Sequence, residues 1–321
     1  MKGHWIGLAF CLALCFSFAA TADLGAQEMI TEGGDLIQRT ENGTYNWTTG
    51  KICADGYGAP REDLTNKGQR KIMAIKAAEV EARAALAKVL NKISIDSDTT
   101  VEDMVTASSV VVERMKAYLN GSYIAESGYD ALDEVAEAKA CLLMTKDLFE
   151  IVIPFDDMVE KNKEKRFKPP VQLKREPAPK PEAPMPVKPE VAVAVKPEPP
   201  APVKPAISYT GLIVDASGLG ARPAMSPRLL VDPEGNEIYG PQSVDREVAM
   251  NIGFAGYASS VDRAKGLDKR LGENPMVVKA TGCSGGRKTD LLLSKDDAST
   301  LYDANLDRNF LKDCKVVMVI N

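Results

Sequence analysis

The stretch NKGQRKIMAIKAAEVEARAALAKVLNKI, residues 66–93, decides how the first half of this chain folds. Apolar residues recur in it every three or four positions, which is the spacing of an amphipathic helix. The positions are Ile72, Ile75, Ala78, Ala82, Leu86, Val89 and Ile93. This spacing predicts a helix over 66–92. Because much of the apolar face is alanine, the helix can pack closely against a sheet.

Strand signals surround this helix. The predicted strands cover residues 45–54, 93–101, 123–129 and 134–144. A second helix is predicted over 101–119, and Asn120-Gly121 ends it because glycine suits the left-handed cap. Residues 146–160 are predicted to be partly helical. Together these elements predict an α+β domain that spans about residues 40–160.

Residues 161–205 are rich in proline and predict a linker. Proline fixes φ and lacks a backbone donor, so neither a helix nor a central strand is expected here. In an extended polyproline II conformation, the 37 residues from Pro169 to Pro205 would reach on the order of 110 Å, at about 3.1 Å per residue. The linker is therefore expected to hold a second domain at a distance. Its basic charge allows contact with an anionic polymer such as peptidoglycan, and a simple spacer is the alternative.

Residues 206–321 predict a second domain that is richer in strands. Residues 229–231 and 237–239 flank Asp232-Pro233-Glu234-Gly235-Asn236, which is a strong hairpin signal. The other predicted strands cover 209–215, 276–280, 289–293 and 315–320, and a helix is predicted over 259–271. The last strand is apolar on both faces, so it is expected at the centre of a covered sheet. The predicted fold class is two small α+β domains joined by the proline-rich linker.

The first 22 residues have the pattern of a secretory signal peptide. Lys2 is followed by an uncharged apolar stretch, and Ala20-Thr21-Ala22 gives the small-x-small motif of a cleavage site. Cleavage is expected after Ala22, with Ala26 as a second choice. An uncleaved anchor and a lipidated Cys15 stay open, although Leu14 is large for a lipoprotein signal. The predicted location is the periplasm.

Cleavage would remove His4, the only histidine, and two of the six cysteines. Four would remain, two in each domain: Cys53, Cys141, Cys283 and Cys314. In an oxidising compartment the simplest pairing is Cys53–Cys141 and Cys283–Cys314, because other pairings would tie the domains together. The other connectivities and four unpaired thiols are the alternatives. Without histidine, Ser-His-Asp and Cys-His catalysis are excluded from the mature chain.

Three further motifs suggest binding chemistry and have simpler interpretations. Gly218-Leu219-Gly220 and the glycine-rich stretch 282–288 could hold an anion, but tight turns are favoured because a complete phosphate-loop motif is missing. The series Asp303-x-Asn305-x-Asp307-x-Asn309 resembles a calcium loop but lacks its glycine and its final glutamate. A capped helix is the favoured alternative there. No metal, cofactor or catalytic residue is predicted, and the formal charge of -5 argues against nucleic acid.

A resemblance to the LPP-type lipoprotein family covers about residues 67–145. It rests on the alanine-rich helix, the Thr99-Thr100-Val101 turn after Ile93-Ser94-Ile95, the second helix, and the strand that begins Gly121-Ser122-Tyr123-Ile124. That family includes flagellar ring and assembly proteins of the outer envelope. Within the second domain, the segment from Tyr209 to Pro227 is similar to a segment that accompanies this family in other exported proteins.

The resemblance implies a non-catalytic structural or assembly role in the envelope, with association at the outer membrane. Flagellar basal-body components and further copies of this chain are the partners that it implies. A peptidoglycan- or ligand-binding module is the alternative function.

Overall fold

A computed structural model describes residues 28–168, 208–231 and 235–321. The predicted signal peptide with its Ala22 cleavage site and nearly all of the predicted linker therefore lie outside the described residues. Within the described residues, no helix is long and apolar enough to cross a membrane. The prediction of two α+β domains is confirmed.

The first domain is built on one six-stranded antiparallel sheet. Its strands are β1 (Glu28–Glu32), β2 (Asp35–Thr40), β3 (Gly43–Asn46), β4 (Lys51–Gly58), β5 (Tyr123–Asp130) and β6 (Val135–Leu143). They lie in the order β1-β2-β3-β4-β6-β5. The two hairpin strands β1 and β2 extend the domain to the N-terminal side of residue 40, where its start was expected.

The long helix α1 (Lys67–Asn91) covers one face of this sheet. Its N-cap is Asn66, whose side chain accepts hydrogen bonds from the backbone N–H groups of Gly68 and Gln69. The predicted helix is thus confirmed almost to the residue. The side chains on its contact face are small, since the fully buried residues there include Ala74, Ala78 and Ala82.

The strand that faces α1 is β4, and it also presents small side chains to the helix. Along the buried face of β4 the side chains shrink from Ile52 to Ala54 and then to Gly56 and Gly58. A Cβ atom on Gly56 would lie 2.1 Å from the backbone nitrogen of Ala82. The alanines and glycines together let the helix backbone approach the strand backbone closely.

The segment between α1 and β5 differs from its prediction. The expected helix over 101–119 is two helices, α2 (Val101–Ala107) and α3 (Ser109–Asn120), separated at Ser108. Ser108 has extended backbone and its side chain caps α3. The expected strand over 93–101 is a tight loop that holds only one isolated bridge, from Ser94 to Thr100.

Two helices and a single turn of 3-10 helix complete the first domain. The helices are α4 (Lys146–Val152) and α5 (Phe155–Asn162), as the partly helical prediction anticipated. The 3-10 turn, Lys163–Lys165, leads out of the domain.

The described residues of the second domain form two four-stranded sheets. Its strands are β7 (Gly211–Asp215), β8 (Leu229–Leu230), β9 (Glu237–Tyr239), β10 (Gly256–Ala258), β11 (Pro275–Lys279), β12 (Gly282–Ser284), β13 (Asp290–Leu292) and β14 (Val316–Val319). Its helices are α6 (Arg246–Ile252), α7 (Val261–Lys265), α8 (Asp268–Leu271) and α9 (Lys295–Arg308). The expected helix over 259–271 is therefore divided into α7 and α8.

One of these sheets is entirely parallel, with the order β10-β14-β7-β11. The predicted central position of the last strand is confirmed, because β14 lies between two others and all four of its residues are buried. The other sheet has the order β12-β13-β8-β9 and combines parallel with antiparallel pairs.

The two domains pack directly against each other. One continuous cluster of buried side chains includes Phe149 and Phe155 of the first domain and Phe254 of the second, and the rings of Phe155 and Phe254 lie 6.2 Å apart. The expectation that the linker holds the domains at a distance is wrong for this structure. The reason is that each domain leaves apolar surface that the other covers.

The loop before α2 is the main point of docking. The backbone N–H of Met225 donates to the carbonyl oxygen of Ser94 at 2.9 Å, and the N–H of Ser226 donates to Ile95 at 2.7 Å. The N–H of Arg287 donates to Ser97 at 3.2 Å. Three backbone hydrogen bonds therefore join the second domain to this single loop.

Candidate functional site

A cleft of about 380 Å³ lies between the two domains and is the candidate functional site. The first domain contributes the β3–β4 turn and the residues around α4, and the second contributes the segments around β10 and α8. The residues that the later argument uses are Tyr45, Trp47, Thr49, Met144, Phe149, Ile252, Tyr257 and Arg270. The site exists only because the domains are docked.

Three aromatic rings form a connected group along one wall of the cleft. The ring centroids of Tyr45 and Trp47 are 4.1 Å apart, and those of Trp47 and Tyr257 are 5.3 Å apart with nearly perpendicular planes. The last pair crosses the domain boundary. Edge-to-face aromatic pairs are favourable beyond the apolar area that they bury, so this contact helps to hold the domains together.

The polar atoms of these rings already have partners. The indole N–H of Trp47 donates to Gln38 at 2.8 Å, and the Tyr45 hydroxyl contacts the sulfur of Met144 at 3.3 Å. The Tyr257 hydroxyl donates to the carbonyl oxygen of Ala224 at 2.7 Å. Burial raises the pKa of Tyr45 and of Tyr257 well above the usual range, so neither phenol acts as a base near neutral pH.

The rim of the cleft is polar and exposed apart from one apolar side chain. Thr49, Asn251, Asp268 and Lys269 are exposed, and Ile252 between them leaves 48% of its surface accessible. This arrangement of an apolar floor inside a polar rim is typical of sites that take up a partly apolar ligand.

Arg270 supports the floor of the cleft. Its guanidinium donates to the carbonyl oxygens of Gly253 at 3.2 Å and Cys314 at 2.8 Å, and also to that of Ile252. Burial lowers the pKa of Arg270 from its usual value, and no carboxylate is among the groups that act on it. Since the first and third of these carbonyls end helix α6, the side chain caps that helix.

A second polar cluster lies at the domain boundary, away from the cleft. Arg228 forms a two-pronged ion pair with Asp290, whose Oδ1 lies 3.1 Å from the Arg228 Nε. The same guanidinium donates across the boundary to Ser97 at 3.2 Å and to Asn162 at 3.3 Å. Asp290 is only 1% exposed and the Arg228 side chain 16%, so the carboxylate is desolvated while its partner keeps some contact with solvent.

The carboxyl group of Glu237 lies beside this cluster. The residue is 3% exposed, and neither carboxyl oxygen has a hydrogen-bond partner. Burial raises the pKa of Glu237 to about 7, and the neighbouring Arg228 partly opposes the rise. The nearby backbone N–H of Gln242 also lowers this pKa, although its geometry falls short of a hydrogen bond.

The cysteine predictions have two different outcomes. Cys53 and Cys141 are bonded to each other, as predicted, and they face each other directly in the β4–β6 pair. The predicted Cys283–Cys314 disulfide is wrong, because both thiols are free. Cys283 lies in β12 and Cys314 lies just before β14, and these strands belong to different sheets.

The glycine-rich stretches form turns, as the simpler interpretation predicted. Residues 217–220 make a turn after β7. The turn after β12 docks against the first domain, where a Cβ atom on Gly285 would lie 2.2 Å from the Cβ of Ser97. Gly285 also has a φ of 83°, which side chains rarely adopt. This turn is therefore part of the domain junction.

The calcium-like series does not form a loop. Asp303, Asn305 and Asp307 lie within α9, and Asn309 is its left-handed C-cap. A helix points alternate residues in different directions, so their oxygens do not converge. Among the described residues, no three His, Cys, Asp or Glu side chains are grouped closely enough to hold a metal ion.

The sequence patterns did not indicate Tyr257, Arg228 or Glu237 as residues of the domain boundary. The burial of Glu237 gave no local signal, because part of it comes from the segment that leaves the first domain. The N–H of Phe167 in that segment donates to the Glu237 carbonyl oxygen at 2.8 Å.

Residues 211–321 match a family model described as Treponema pallidum Tp0624, second domain. The match extends from β7 to the end of the chain, so the second domain is similar to that domain. The description names no activity. No curated protein matches the sequence.

Proposed function

We propose that this protein is a non-catalytic, exported component of a cell envelope that binds a partner in the cleft between its domains. The observation that carries the proposal is the cleft itself, with its volume of about 380 Å³ and its apolar floor. Ligands bind preferentially in concave, largely apolar sites at domain boundaries. The polar atoms of Tyr45, Trp47 and Tyr257 are already hydrogen-bonded. These nearly buried side chains therefore shape the cleft and supply neither an acid nor a base.

Two features support export to the periplasm. The first 22 residues carry the signal-peptide pattern, with Ala22 before the cleavage site. The Cys53–Cys141 disulfide suits an oxidising compartment, where such bonds persist.

The partner that we favour is another protein of an envelope assembly. The resemblance of residues 67–145 to the LPP-type lipoprotein family supports this, and it suggests flagellar ring components at the outer membrane and further copies of this chain. In the described residues the two domains pack into one unit with a cleft between them, which suits docking onto a larger structure.

Site-specific cross-linking in cells tests this proposal. A photo-reactive residue at Ile252, on the rim, is expected to capture the partner, which is then identified from purified envelopes. The matched control places the same residue at Leu132, which is 93% exposed in the β5–β6 turn. Recovery of flagellar rod or ring proteins at Ile252 alone supports the assembly role. Equal capture at both positions contradicts a binding role for the cleft.

A peptidoglycan-binding role is the second candidate. The basic composition of residues 161–205 favours it, because peptidoglycan is an anionic polymer. Sedimentation with purified peptidoglycan measures it. Thr49→Arg would place a long side chain over the cleft and is expected to reduce binding, whereas Thr106→Arg on exposed α2 is the matched control. Sedimentation no greater than that of an unrelated protein rules this role out.

A further inference from the structure

We propose that the carboxyl group of Glu237 is a proton-controlled latch between the two domains, which favours the docked state when neutral and weakens it when ionised. The inference about docking stands on its own. Its consequence for the cleft rests on the proposed function, since the cleft needs both domains for its walls.

The position of Glu237 supports this role. It lies in β9, where Arg166 of the first domain's exit segment forms a parallel bridge with it and the Phe167 N–H binds its carbonyl oxygen. A cavity of about 60 Å³ beside it is lined by Arg166 and Phe167 together with Tyr302. The side chain is thus buried partly by residues of the other domain and would become hydrated if the domains separated.

The charged and titratable neighbours of Glu237 come from four parts of the fold. Arg228 precedes β8, Asp290 begins β13, Arg166 belongs to the exit segment, and Tyr302 of α9 lines the same cavity. The Arg228 guanidinium already donates hydrogen bonds to Asp290, Ser97 and Asn162. Because neither arginine forms a hydrogen bond with the Glu237 carboxyl, an ionised Glu237 would be a buried charge without a direct partner.

The direction of the pH effect follows from this burial. Burial raises the pKa of Glu237 from 4.5 to about 7, so the docked state holds its proton more tightly than a hydrated carboxyl does. Docking is strongest below the ordinary pKa and is weakened as the pH rises through about 7. The interval between the two pKa values sets an upper limit of about 300-fold on the decrease in the equilibrium constant for docking.

Hydrogen exchange at pH 5.5 and 8.5, corrected for intrinsic rates, measures the latch without any ligand. The amides of Met225 and Ser226 donate across the domain boundary, whereas those of Ala280 and Leu291 donate within the second domain. In the wild-type chain the first pair is expected to lose at least about tenfold protection at pH 8.5, with the second pair unchanged. Glu237→Gln should abolish this difference, and Glu273→Gln, an exposed residue of the same domain, should keep it.

Two outcomes would overturn the latch. One is boundary protection in the wild-type chain that is the same at both pH values. The other is an equal loss in Glu237→Gln, which would assign the pH effect to another group. Histidine cannot supply that effect within the described residues, since His4 is the only one in the chain. Failure of cross-linking at Ile252 would leave these exchange results unaffected.

Discussion

Gly56 shows how one residue without a side chain sets the distance between a helix and a sheet. A Cβ atom there would lie 2.1 Å from the Ala82 nitrogen and 2.6 Å from the Ala78 oxygen, and backbone cannot yield as a flexible side chain can. We therefore expect Gly56→Val to lower the free energy of unfolding by about 3 kcal/mol or more, as overpacking does. Urea denaturation measures the change.

The matched control is Gly128→Val in the edge strand β5, where nothing lies within 4 Å of the added Cβ. Because valine favours strands, we expect this variant to match or exceed wild-type stability. If both variants lost the same free energy of unfolding, the close approach of α1 to Gly56 would not be the cause.

The free thiols give a second prediction at the residue scale. Under non-reducing conditions the denatured mature chain should react with two equivalents of thiol reagent, at Cys283 and Cys314, and with four after reduction. In the folded chain Cys314 should react slowly, because it is buried and burial raises its pKa to about 11. Mass spectrometry locates the labels. If no thiol reacted before reduction, Cys283 and Cys314 would have to be disulfide-bonded after all.

At the scale of elements, prediction succeeded where the local pattern was strong. Helix α1 has a regular apolar period and an asparagine at its start, so both its existence and its bounds follow from the sequence. The break between α2 and α3 was missed because the apolar period continues through Ser108. Only the side-chain cap on the next helix shows that a new helix begins there.

The capping box of α2 provides a test at this scale. The Thr100 hydroxyl accepts from the Asp103 N–H at 3.2 Å, while Asp103 Oδ2 accepts from the Thr100 N–H at 2.7 Å. Thr100→Val should therefore cost about 1 kcal/mol of unfolding free energy. Thr106→Val, on the exposed side of the same helix, should change it little. Thermal unfolding distinguishes the two, and equal effects would mean that the cap adds nothing.

The capping box also predicts a pH dependence. Hydrogen bonds from Thr100 lower the pKa of Asp103, and the nearby Arg287 adds to this effect. A depressed pKa means that the stabilisation is present above the ordinary pKa of aspartic acid and is lost as the pH falls below it. The difference between wild type and Thr100→Val should accordingly shrink as the pH falls below the ordinary aspartic acid pKa of about 4.

The candidate site was harder to predict than these elements. The cleft depends on contacts between residues far apart in the chain, such as the 5.3 Å ring contact of Trp47 with Tyr257. Periodicity and turn signals report only local structure, so they identified both domains but not the surface that joins them. The proline-rich composition of 161–205 suggested separation, and nothing local to it indicated that the domains dock.

At the scale of the whole molecule, the two ends of the connection lie close together. The ring of Phe167 packs 6.5 Å from that of Tyr302, and the Ser208 hydroxyl donates to Asp307 at 2.7 Å. Tyr302 and Asp307 both belong to α9, and five helical residues rise only about 7.5 Å. The segment between Phe167 and Ser208 therefore begins and ends beside the same helix, so docking does not require its full length.

Shortening this segment is the test that separates docking from spacing. Replacing residues 170–205 by 12 residues of glycine and serine should preserve the boundary protection of Met225 and Ser226. Because a shorter loop loses less entropy when its ends are held together, docking should become more favourable by about 1 kcal/mol. A glycine–serine segment of the original length is the control for composition.

If the shortened chain loses boundary protection while the control keeps it, the length of the segment is needed for docking. If both keep it, envelope localisation and function in cells then show whether the length serves a partner elsewhere. A shortened chain that works normally in cells would mean that spacing has no role.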